Sequence, residues 1–394
     1  MRKNVIVVFG GMSSENEISV ITGTMVSNLV DEEKYGVYPV YLNTDGEIFA
    51  DKRLRDVSFF SDPAFRKKAG RALIADGKLY RRKGNRLKEL CKADVILNCC
   101  HGRGGEDGAV AAIADLNKLA NASPDLLASS LFMDKAATKL AARALGVKCA
   151  DSFKICKRDY DKRGKMAIKC VETRLKYPVI IKPSRQGSSI GIIVAHDKNE
   201  LVGALETAFA YDDIVLAEKF FAEKREINCA AYRKGGDVIV SECEEPALKR
   251  EILTFQDKYI EGGKERTAAF PARISKRDET LIKGYTKLLY KRLDLRGIVR
   301  ADFLVSGGEV YFNEMNTVPG SLAYYLFCEK LGDFKEVLTD VIEQGLVERA
   351  VKDGQKVHMP KALPEESILK FPSIFTAVAS AGVANMSTIS LFRF

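Results

Sequence analysis

Asp302, Glu314 and Asn316 are the residues whose types and spacing point most directly to chemistry. They lie in two segments, GIVRADFLV and EVYFNEMN, which flank a Ser-Gly-Gly stretch and predict a β-hairpin. Glu314 and Asn316 are two residues apart, so both side chains point to the same face of a strand. Carboxylate and amide oxygens suit Mg²⁺, which takes its remaining ligands from water and substrate phosphates. The hairpin is therefore a candidate magnesium site.

The length of the hairpin turn decides whether the third side chain joins this face. A two-residue turn at Gly307 and Gly308 pairs Asp302 with Asn313, and Glu314 then lies on the opposite face. A three-residue loop instead pairs Asp302 with Glu314 and gathers the three oxygen-bearing side chains on one face. The residues by themselves allow both registers.

The segment VIIKPSRQGSSIGI is a candidate phosphate-binding flap. Lys182 ends a predicted strand before Pro183, and a small, polar loop then returns into a second β-branched run. A P-loop places its lysine after the glycines and leads into a helix, which this segment does not do. We predict that the loop amides and the Ser188 and Ser189 hydroxyls donate to phosphate oxygens, with Lys182 as a point charge. An ordinary glycine hairpin is the alternative.

A second glycine-rich loop, HGRGGEDG, lies between a predicted strand and a predicted helix. It does not fit a dinucleotide fingerprint, because the third glycine of G-x-G-x-x-G would fall at Asp107. A tight loop that presents backbone amides and His101 to a ligand fits better. A purely structural role for this histidine is the alternative.

The segment GGMSSENEIS predicts the start of the first helix. Ser14 and Glu17 have the spacing of an S-x-x-E capping box. Glu15 falls in the first turn, where its carboxylate either complements the helix dipole or faces a ligand at the edge of the sheet.

The elements that must position these residues follow an α/β order. NVIVVFGG, YGVYPVYL and ADVILNCC have the pattern of buried strands, and ENEISVITGTMVSNLV and AVAAIADLNKLA that of helices. This alternation predicts a parallel sheet with crossover helices. A second unit begins near Leu131 with the helix MDKAATKLAARALGV and continues through the strands YPVIIKP, IGIIVA and DIVLAEKF. The third contains the strand REINCAAYR, a hydrophilic loop near 244–268, a helix near 278–293 and the hairpin.

The composition is that of a globular protein, with 46% hydrophobic, 29% charged and 9% aromatic residues among 394. This length predicts two or three domains. The net charge of +9 is spread along the chain without a basic tail. It suits an enzyme that handles phosphates and does not favour a nucleic-acid partner.

Cysteine usage and the two ends of the chain bear on its location. The nine cysteines show no repeated C-x-x-C metal pattern and predict reduced, buried thiols in a cytoplasmic protein. The apolar run in MRKNVIVVFGG is too short for a signal-peptide core and predicts a first strand. Phe371 to Phe392 contains no charged residue, but Ser, Thr, Asn and Pro interrupt it. We expect a packing arm or subunit contact there, and no membrane span.

Taken in order, GGMSSENEIS, HGRGGEDG, MDKAATK, KPSRQGSSIGI, DKY and RADF…NEMNTVPG resemble the motifs of the D-alanine:D-alanine ligases of the ATP-grasp superfamily. The resemblance extends from about Val5 to Leu326. It implies an α/β, ATP-grasp fold with an N-terminal parallel-sheet (Rossmann-like) domain and two α+β subdomains that clasp ATP. We expect a substrate domain at 1–130, a central subdomain at 131–217, a C-terminal subdomain with the metal site at 218–345, and an extension of unassigned role at 346–394.

The resemblance also implies an activity. Two D-alanines are joined through D-alanyl phosphate, giving D-alanyl-D-alanine, ADP and phosphate for peptidoglycan precursor synthesis. ATP is a substrate, and two Mg²⁺ ions, replaceable by Mn²⁺, are the implied cofactors. Asp302, Glu314 and Asn316 match the metal ligands, in agreement with the three-residue hairpin loop. The residues expected to hold ATP are Lys135, Lys182, Ser189 and Lys258 at the phosphates, Glu218, Lys219 and Phe221 at the adenine, and Glu226 at the ribose.

The same resemblance assigns the amino-acid substrates. Glu15 would hold the ammonium of the first D-alanine and form a hydrogen-bonded triad with Ser188 and Tyr259, and His101 would lie beside that substrate. The amine of the second D-alanine attacks the acyl phosphate, and the oxyanion is assigned to two donors, the Arg300 side chain and the Gly320 amide. The pocket for the second substrate would contain Ser321, Tyr325 and Leu326.

Tyr325 departs from the family pattern. It stands where the family often has a small hydroxyl residue that binds the carboxylate of the second substrate. The segment KLANASPDLLASSLF also lacks the glycine-rich turn expected before MDK. Tyr259 favours D-alanine over D-lactate as the second substrate.

Two other functions compete with this one. One is an ATP-grasp ligase that joins D-alanine, or another amino acid, to a different second substrate. The other is a catalytically idle nucleotide-binding protein, which the intact set of lysine, arginine and carboxylate residues disfavours, because unpaired carboxylates bring no stability. The expected partners are small-molecule substrates and a second copy of the chain in a homodimer.

Overall fold

The computed structural model describes residues 2–246 and 269–355. Most of them belong to one compact unit, Met1–Val351, and the second unit, Lys352–Phe394, is described only to residue 355. Lys258, Tyr259 and the uncharged segment from Phe371 to Phe392 lie outside the described residues.

The elements follow the α/β order that the sequence predicts. The helices are α1 (Asn16–Leu29), α2 (Phe65–Ala69), α3 (Ala109–Leu116), α4 (Leu126–Met133), α5 (Lys135–Ala144), α6 (Lys157–Leu175), α7 (Lys198–Phe209), α8 (Lys276–Arg292) and α9 (Phe334–Gly354). The strands are β1 (Lys3–Gly10), β2 (Tyr35–Leu42), β3 (Ile48–Ala50), β4 (Ala72–Ala75), β5 (Lys78–Lys83), β6 (Arg86–Lys92), β7 (Val95–Asn98), β8 (Ala120–Asn121), β9 (Ser152–Cys156), β10 (Val179–Pro183), β11 (Ile193–Ala195), β12 (Ile214–Lys219), β13 (Arg225–Lys234), β14 (Asp237–Val240), β15 (Val299–Ser306) and β16 (Glu309–Asn316).

The first sheet has the strand order β3-β2-β1-β7-β8. The predicted strands β1, β2 and β7 pair in parallel, and β3 pairs antiparallel with β2. Val5, Val7 and Phe9 are buried on one face and Ile6 and Val8 on the other, so both faces are covered. Parallel strands end at the same edge of a sheet, and the loops that follow β1 and β7 therefore meet there.

Strands β4, β5 and β6 form a separate antiparallel sheet that the sequence analysis did not anticipate. Leu79 and Cys91 bury one side of it against the first sheet. Lysines and arginines occupy most other positions of β5 and β6, and they obscure the apolar alternation that would identify these strands.

Two further antiparallel sheets follow, in which the predicted strands of the second and third units are joined by β9 and β14, two strands that the sequence analysis did not identify. The order β11-β10-β12-β9 forms one sheet, whose core includes residues of α6 and α7. The order β14-β13-β15-β16 forms the other, whose core includes Ile282 and Leu289 of α8. The opposite face of each sheet is turned away from these cores. Lys182 and Glu218 lie on that face of the sheet that contains β10 and β12, and Asp302 and Glu314 on that face of the sheet that contains β15 and β16.

The hairpin between β15 and β16 turns through two residues. Ser306 pairs with Glu309, so Gly307 and Gly308 form the turn. Both glycines have positive φ values, 58° and 72°, which suits a tight type I′ connection. The expected three-residue loop is therefore wrong, because the two glycines supply the backbone conformation of the shorter turn.

A β-bulge nevertheless produces the pairing that the longer loop was expected to produce. Phe303 pairs with Phe312, the register then shifts, and Asp302 pairs with Glu314. Asn313 is the additional residue on β16, and such a bulge reverses the side-chain alternation beyond it. Asp302 and Glu314 therefore share a face despite the two-residue turn.

The start of α1 differs from the predicted capping box. Glu15 is the N-cap residue and no side chain caps the helix there. The Ser13 hydroxyl instead accepts from the Glu15 N–H at 3.2 Å and donates to the His101 carbonyl at 2.7 Å. The predicted capping box of Ser14 and Glu17 is wrong, because the helix begins one residue later than that motif requires.

Candidate active site

The metal-site prediction is consistent with the positions of its three side chains. Asp302 lies opposite Glu314, and Asn316 lies opposite Arg300, all on the face of the hairpin turned away from the core. The Arg300 guanidinium donates to both Asp302 oxygens at 2.7 and 2.8 Å, and the Asn316 amide donates at 2.9 Å. No group of three His, Cys, Asp or Glu suited to a metal occurs within 2–246 and 269–355. Two carboxylates and one amide oxygen remain a donor set of hard oxygens that fits Mg²⁺.

Lys135 reaches this face from the first turn of α5. Its Nζ lies 3.8 Å from Glu314 Oε2 and donates to the Gln186 carbonyl at 2.6 Å. Asp134 caps the helix and also accepts from the Ser184 hydroxyl at 2.7 Å. One lysine thus joins the Glu314 carboxylate of the hairpin to the loop that follows β10.

Lys182 is buried next to the same face. Its Nζ donates to Glu218 Oε2 at 2.6 Å and to Asn313 Oδ1 at 3.2 Å. Burial lowers the pKa of the ammonium, but the Glu218 charge more than offsets this, so the pKa is raised and the lysine is charged. Lys182 is therefore a fixed positive charge, as its predicted phosphate-binding role needs.

A second buried lysine, Lys139, completes this cluster and was missed by the sequence analysis. Its Nζ lies 2.9 Å from Glu218 Oε1. Burial raises the pKa of the Glu218 carboxyl, but the charges of Lys139 and Lys182 outweigh burial and lower that pKa to about 2. Helix periodicity could have indicated that Lys139 is buried, because it is three residues from both Ala136 and Ala142, which lie on the buried stripe of α5.

The loop that follows β10 reaches the first helix. The Ser188 hydroxyl donates to Glu15 Oε1, and both side chains are buried. Ser188 and Ser189 have φ values of 50° and 60°, which non-glycine residues seldom adopt. Backbone strain of this kind persists where surrounding contacts hold it, and it is common at functional sites.

His101 is buried beside this contact. Its Nδ1 lies 2.9 Å from the Val318 carbonyl and its Nε2 lies 2.9 Å from the Thr22 hydroxyl. Burial lowers the pKa of the imidazole, and the nearby Glu15 carboxylate offsets only part of this effect. A neutral ring that donates from Nδ1 and accepts at Nε2 satisfies both contacts.

Glu106 is a titratable group at the site that the sequence analysis did not single out. It accepts from the Gly102 N–H at 2.8 Å and from the Val318 N–H at 3.4 Å. Burial raises the pKa of its carboxyl to about 8, and the negative charge of Glu15 adds to the shift. Its place in HGRGGEDG indicated that it lies near the sheet edge, but one of its donors, the Val318 N–H, comes from a segment 212 residues away along the chain.

The expected second-substrate residues lie in a short 3₁₀ segment, Gly320–Leu326. The Ser321 N–H donates to the Thr22 hydroxyl at 3.2 Å, and the Arg300 Nη1 lies 3.5 Å from the Tyr325 hydroxyl. Leu326 is buried and packs with Ala230. The tyrosine thus reaches the guanidinium expected to stabilise the oxyanion.

The expected adenine and ribose residues lie on β12, on β13 and between them. Phe221 stacks against Tyr311 with ring centroids 4.7 Å apart, and Lys219 lies 5.5 Å from the Phe221 ring. Both Glu218 oxygens are engaged by lysines. Glu226 lies on β13 opposite Leu304. The contacts of these residues with a nucleotide stay predictions.

Lys182 of one antiparallel sheet and Lys135 of α5 lie near the Glu314 carboxylate of the next sheet, beside a parallel α/β sheet whose loops complete the site. This combination defines the class of ATP-dependent ligases with an ATP-grasp fold. Residues 4–122 match the model of the D-ala D-ala ligase N-terminus, and residues 141–343 match that of the D-ala D-ala ligase C-terminus. The chain therefore belongs to the D-alanine–D-alanine ligase family.

Individual relatives are similar over almost their whole length. The D-alanine–D-alanine ligase of Thermosipho africanus is 34% identical over 347 residues, which cover 86% of this chain and 92% of that protein. The ligase of Caldicellulosiruptor bescii is 32% identical over 365 residues, which cover 89% of this chain and 96% of that protein. Among solved structures, the D-alanine–D-alanine ligase of Helicobacter pylori has a TM-score of 0.71 at 29% identity, covering 87% of this chain and 98% of its own. The VanG D-Ala:D-Ser ligase of Enterococcus faecalis has a TM-score of 0.73 at 27% identity, and the match covers 88% of this chain and 100% of that structure's chain.

Family membership confirms several expectations from the sequence. The ATP-grasp fold class is confirmed, and the protein is an ATP-dependent ligase whose substrates are small molecules. Within residues 2–246 and 269–355, no helix is both long and apolar enough to cross a membrane.

Proposed function

We propose that this chain joins two D-alanines at the expense of ATP, through D-alanyl phosphate, to supply D-alanyl-D-alanine for peptidoglycan precursors. The observation that carries the proposal is a continuous series of contacts. It runs from the Asp302–Glu314 face through Lys135 to the loop after β10, and from Ser188 in that loop to Glu15. Nucleotide, metal and amino-acid sites would thus adjoin one another.

Lys135 and Lys182 are the proposed phosphate-binding side chains, with Ser189 and the loop amides as further donors. Asp302, Glu314 and Asn316 would hold Mg²⁺, and we propose two ions, which Mn²⁺ could replace. Bound Mg²⁺ would neutralise the negative charge that gathers on the transferring phosphoryl group. The two lysines act in the same direction, because both ammonium groups lie next to the metal-site face.

Glu15 is the proposed ligand of the first D-alanine ammonium. Its hydrogen bond from Ser188 orients the carboxylate, and Tyr259 is proposed to complete the triad. His101 would lie beside the same substrate. Because burial lowers the pKa of its imidazole, the ring is neutral near pH 7 and does not repel an ammonium group.

Arg300 and the Gly320 amide are proposed to stabilise the oxyanion that forms when the second amine attacks. In this structure, the Arg300 Nε and Nη2 atoms bind Asp302 and its Nη1 reaches the Tyr325 hydroxyl. A guanidinium fixed at both edges is preorganised to donate to developing charge.

The second substrate is proposed to be D-alanine, bound by Ser321, Tyr325 and Leu326. The phenol of Tyr325 reduces the space beside Arg300, which favours a small side chain. D-Serine is the second candidate, because VanG, a structural neighbour of this chain, is a D-Ala:D-Ser ligase.

The nucleotide, domain and assembly assignments complete the proposal. Lys258 would reach phosphate, and Glu226 the ribose. Glu218, Lys219 and Phe221 would line the adenine. We propose a substrate domain at 1–130, a central subdomain at 131–217, a C-terminal subdomain at 218–345 and an extension at 346–394. We also propose that the chain forms a homodimer and is located in the cytoplasm.

The deciding experiment measures ADP release by the purified chain with Mg-ATP and each candidate amino acid, with products identified by mass. D-Alanine alone should give ADP and a dipeptide, whereas L-alanine should not. Asp302→Ala should abolish turnover and serves as the control for contaminating ATPase. Turnover only when D-serine or D-lactate is added would show that the second substrate is not D-alanine. Absence of turnover with every amino acid would favour an idle nucleotide-binding protein.

A further inference from the structure

Lys139 is buried in the protein with 2% of its side chain exposed. Its ammonium lies 2.9 Å from Glu218 Oε1 and donates to the Asn313 carbonyl at 3.1 Å. An ammonium in the interior is costly unless a counter-charge and hydrogen-bond acceptors surround it. Lys139 has both, and both belong to residues at the candidate ATP site.

Glu218 divides its carboxylate between two lysines. Lys139 contacts one oxygen and Lys182 the other, at 2.9 and 2.6 Å. The three groups together carry one net positive charge. If Lys139 were neutral, the remaining pair of Glu218 and Lys182 would carry none, and Lys182 would attract phosphate more weakly.

Asn313, the bulge residue of β16, contacts the same two lysines. Lys139 donates to its backbone carbonyl and Lys182 to its side-chain Oδ1 at 3.2 Å. A bulge leaves backbone groups outside the regular ladder, and a carbonyl without a ladder partner needs another donor. Lys139 supplies that donor at the position where the register shifts to pair Asp302 with Glu314.

We propose that Lys139 is a positioning residue of the ATP site, an inference that rests on the proposed function. Its ammonium balances the Glu218 carboxylate, so that the charge of Lys182 acts on phosphate. Its hydrogen bond to the Asn313 carbonyl also holds the bulge that keeps the metal-binding side chains on one face. Lys139 itself is proposed to touch neither the nucleotide nor the metal.

The test compares Lys139→Met with Lys148→Met. Lys148 lies 3.1 Å from Glu309 on the same hairpin, but both side chains are about half exposed, and surface pairs contribute little. Calorimetric titration with Mg-ADP should show at least ~10-fold weaker binding by Lys139→Met, because a buried charge loses its partner. Lys148→Met should bind as wild type does. The KM for ATP should rise in parallel, and the KM for D-alanine should change little.

A second variant separates charge balance from mere stability. Lys139→Arg keeps a positive charge beside Glu218, so it should bind Mg-ADP with near-wild-type affinity, whereas Lys139→Met should not. Wild-type affinity in Lys139→Met, or a loss in Lys139→Arg as large as that in Lys139→Met, would overturn the proposal. If Lys139→Met does not fold, the neutral and polar Lys139→Gln takes its place, with the same loss of affinity expected. Mg-ADP binding requires no turnover, so failure of D-alanine ligation would be seen separately.

Discussion

The Ser188 hydroxyl donates a hydrogen bond to Glu15 Oε1 across 173 residues of sequence. Ser188 lies in the loop between β10 and β11, and Glu15 immediately precedes α1. The contact therefore joins the parallel sheet to the loop that is proposed to cover the phosphates. If Glu15 holds the first D-alanine and the loop covers the phosphates, as proposed, binding of that substrate and placement of the loop would be coupled through this one carboxylate.

Glu15→Gln should weaken binding of the first D-alanine. The substitution preserves shape but removes the charge that would face the substrate ammonium, and charge-assisted hydrogen bonds are roughly twice as strong as neutral ones. We expect the KM for the first D-alanine to rise at least ~10-fold, with the KM for ATP much less affected. Glu17→Gln, an exposed change two residues further on in the first turn of α1, is the matched control and should leave both KM values unchanged.

Gly187→Ala should disturb the same contact without removing any polar group. A Cβ at residue 187 would lie 2.8 Å from Glu15 Oε2, which is too close for van der Waals contact. The carboxylate or the loop must therefore shift, and steady-state kinetics should show a higher KM for D-alanine. Gly203→Ala in α7 is the control, because its Cβ would meet no atom within 4 Å and alanine favours a helix by roughly 0.5–1 kcal/mol. Unaltered kinetics in Gly187→Ala would argue against the rigidity of this contact.

The raised pKa of Glu106 predicts that the stability of the ligand-free protein depends on pH. Its pKa is about 8 when folded against an ordinary value of 4.5, so the folded state holds a proton that the unfolded state has lost between these values. The contribution of Glu106 to the free energy of unfolding should therefore decrease as pH rises from about 4.5 to about 8. His101 acts in the opposite direction, because its lowered pKa favours the folded state as pH rises.

Glu106→Gln isolates this effect. Urea unfolding at pH 5.5, 7 and 8.5 should show that the variant gains stability relative to wild type as the pH increases. Glu17→Gln should show no such trend. A constant difference between wild type and Glu106→Gln at all three pH values would contradict burial as the cause of the raised pKa.

Tyr325 predicts the selectivity for the second substrate. Tyr325→Ser removes the phenol next to Arg300 and should increase turnover with D-serine relative to D-alanine, measured by competition and mass analysis of the products. Tyr325→Phe keeps the ring and removes only the hydroxyl, so it should retain the wild-type preference while lowering kcat. Unchanged product ratios in Tyr325→Ser would place the selectivity elsewhere in the pocket.

Local pattern in the sequence predicted the main strands and helices around the site and their order, although not the sheet of β4, β5 and β6. Continuous apolar runs predicted β1, β2 and β7 as buried parallel strands, and the strand-loop-strand pattern around Lys182 predicted β10 and β11. The order of the motifs indicated the family. These features depend on side chains a few residues apart, whose periodicity is visible in the sequence itself.

The tertiary structure decided the details of the site. The bulge at Asn313 is faintly visible in the spacing of Val310, Phe312 and Met315, where the buried positions change from two to three residues apart. The side-chain donors that contact the bulged residue belong to Lys139 and Lys182, which are 174 and 131 residues away along the chain.

Ionisation depended on the fold in the same way. The charge of Glu218 and the proton of Glu106 both follow from burial and from charges that the fold brings together. The sequence determined which residues were available at the site. Because the cost of burying a charge depends on every group around it, only the packing of distant segments decided the charge and the partners of these residues.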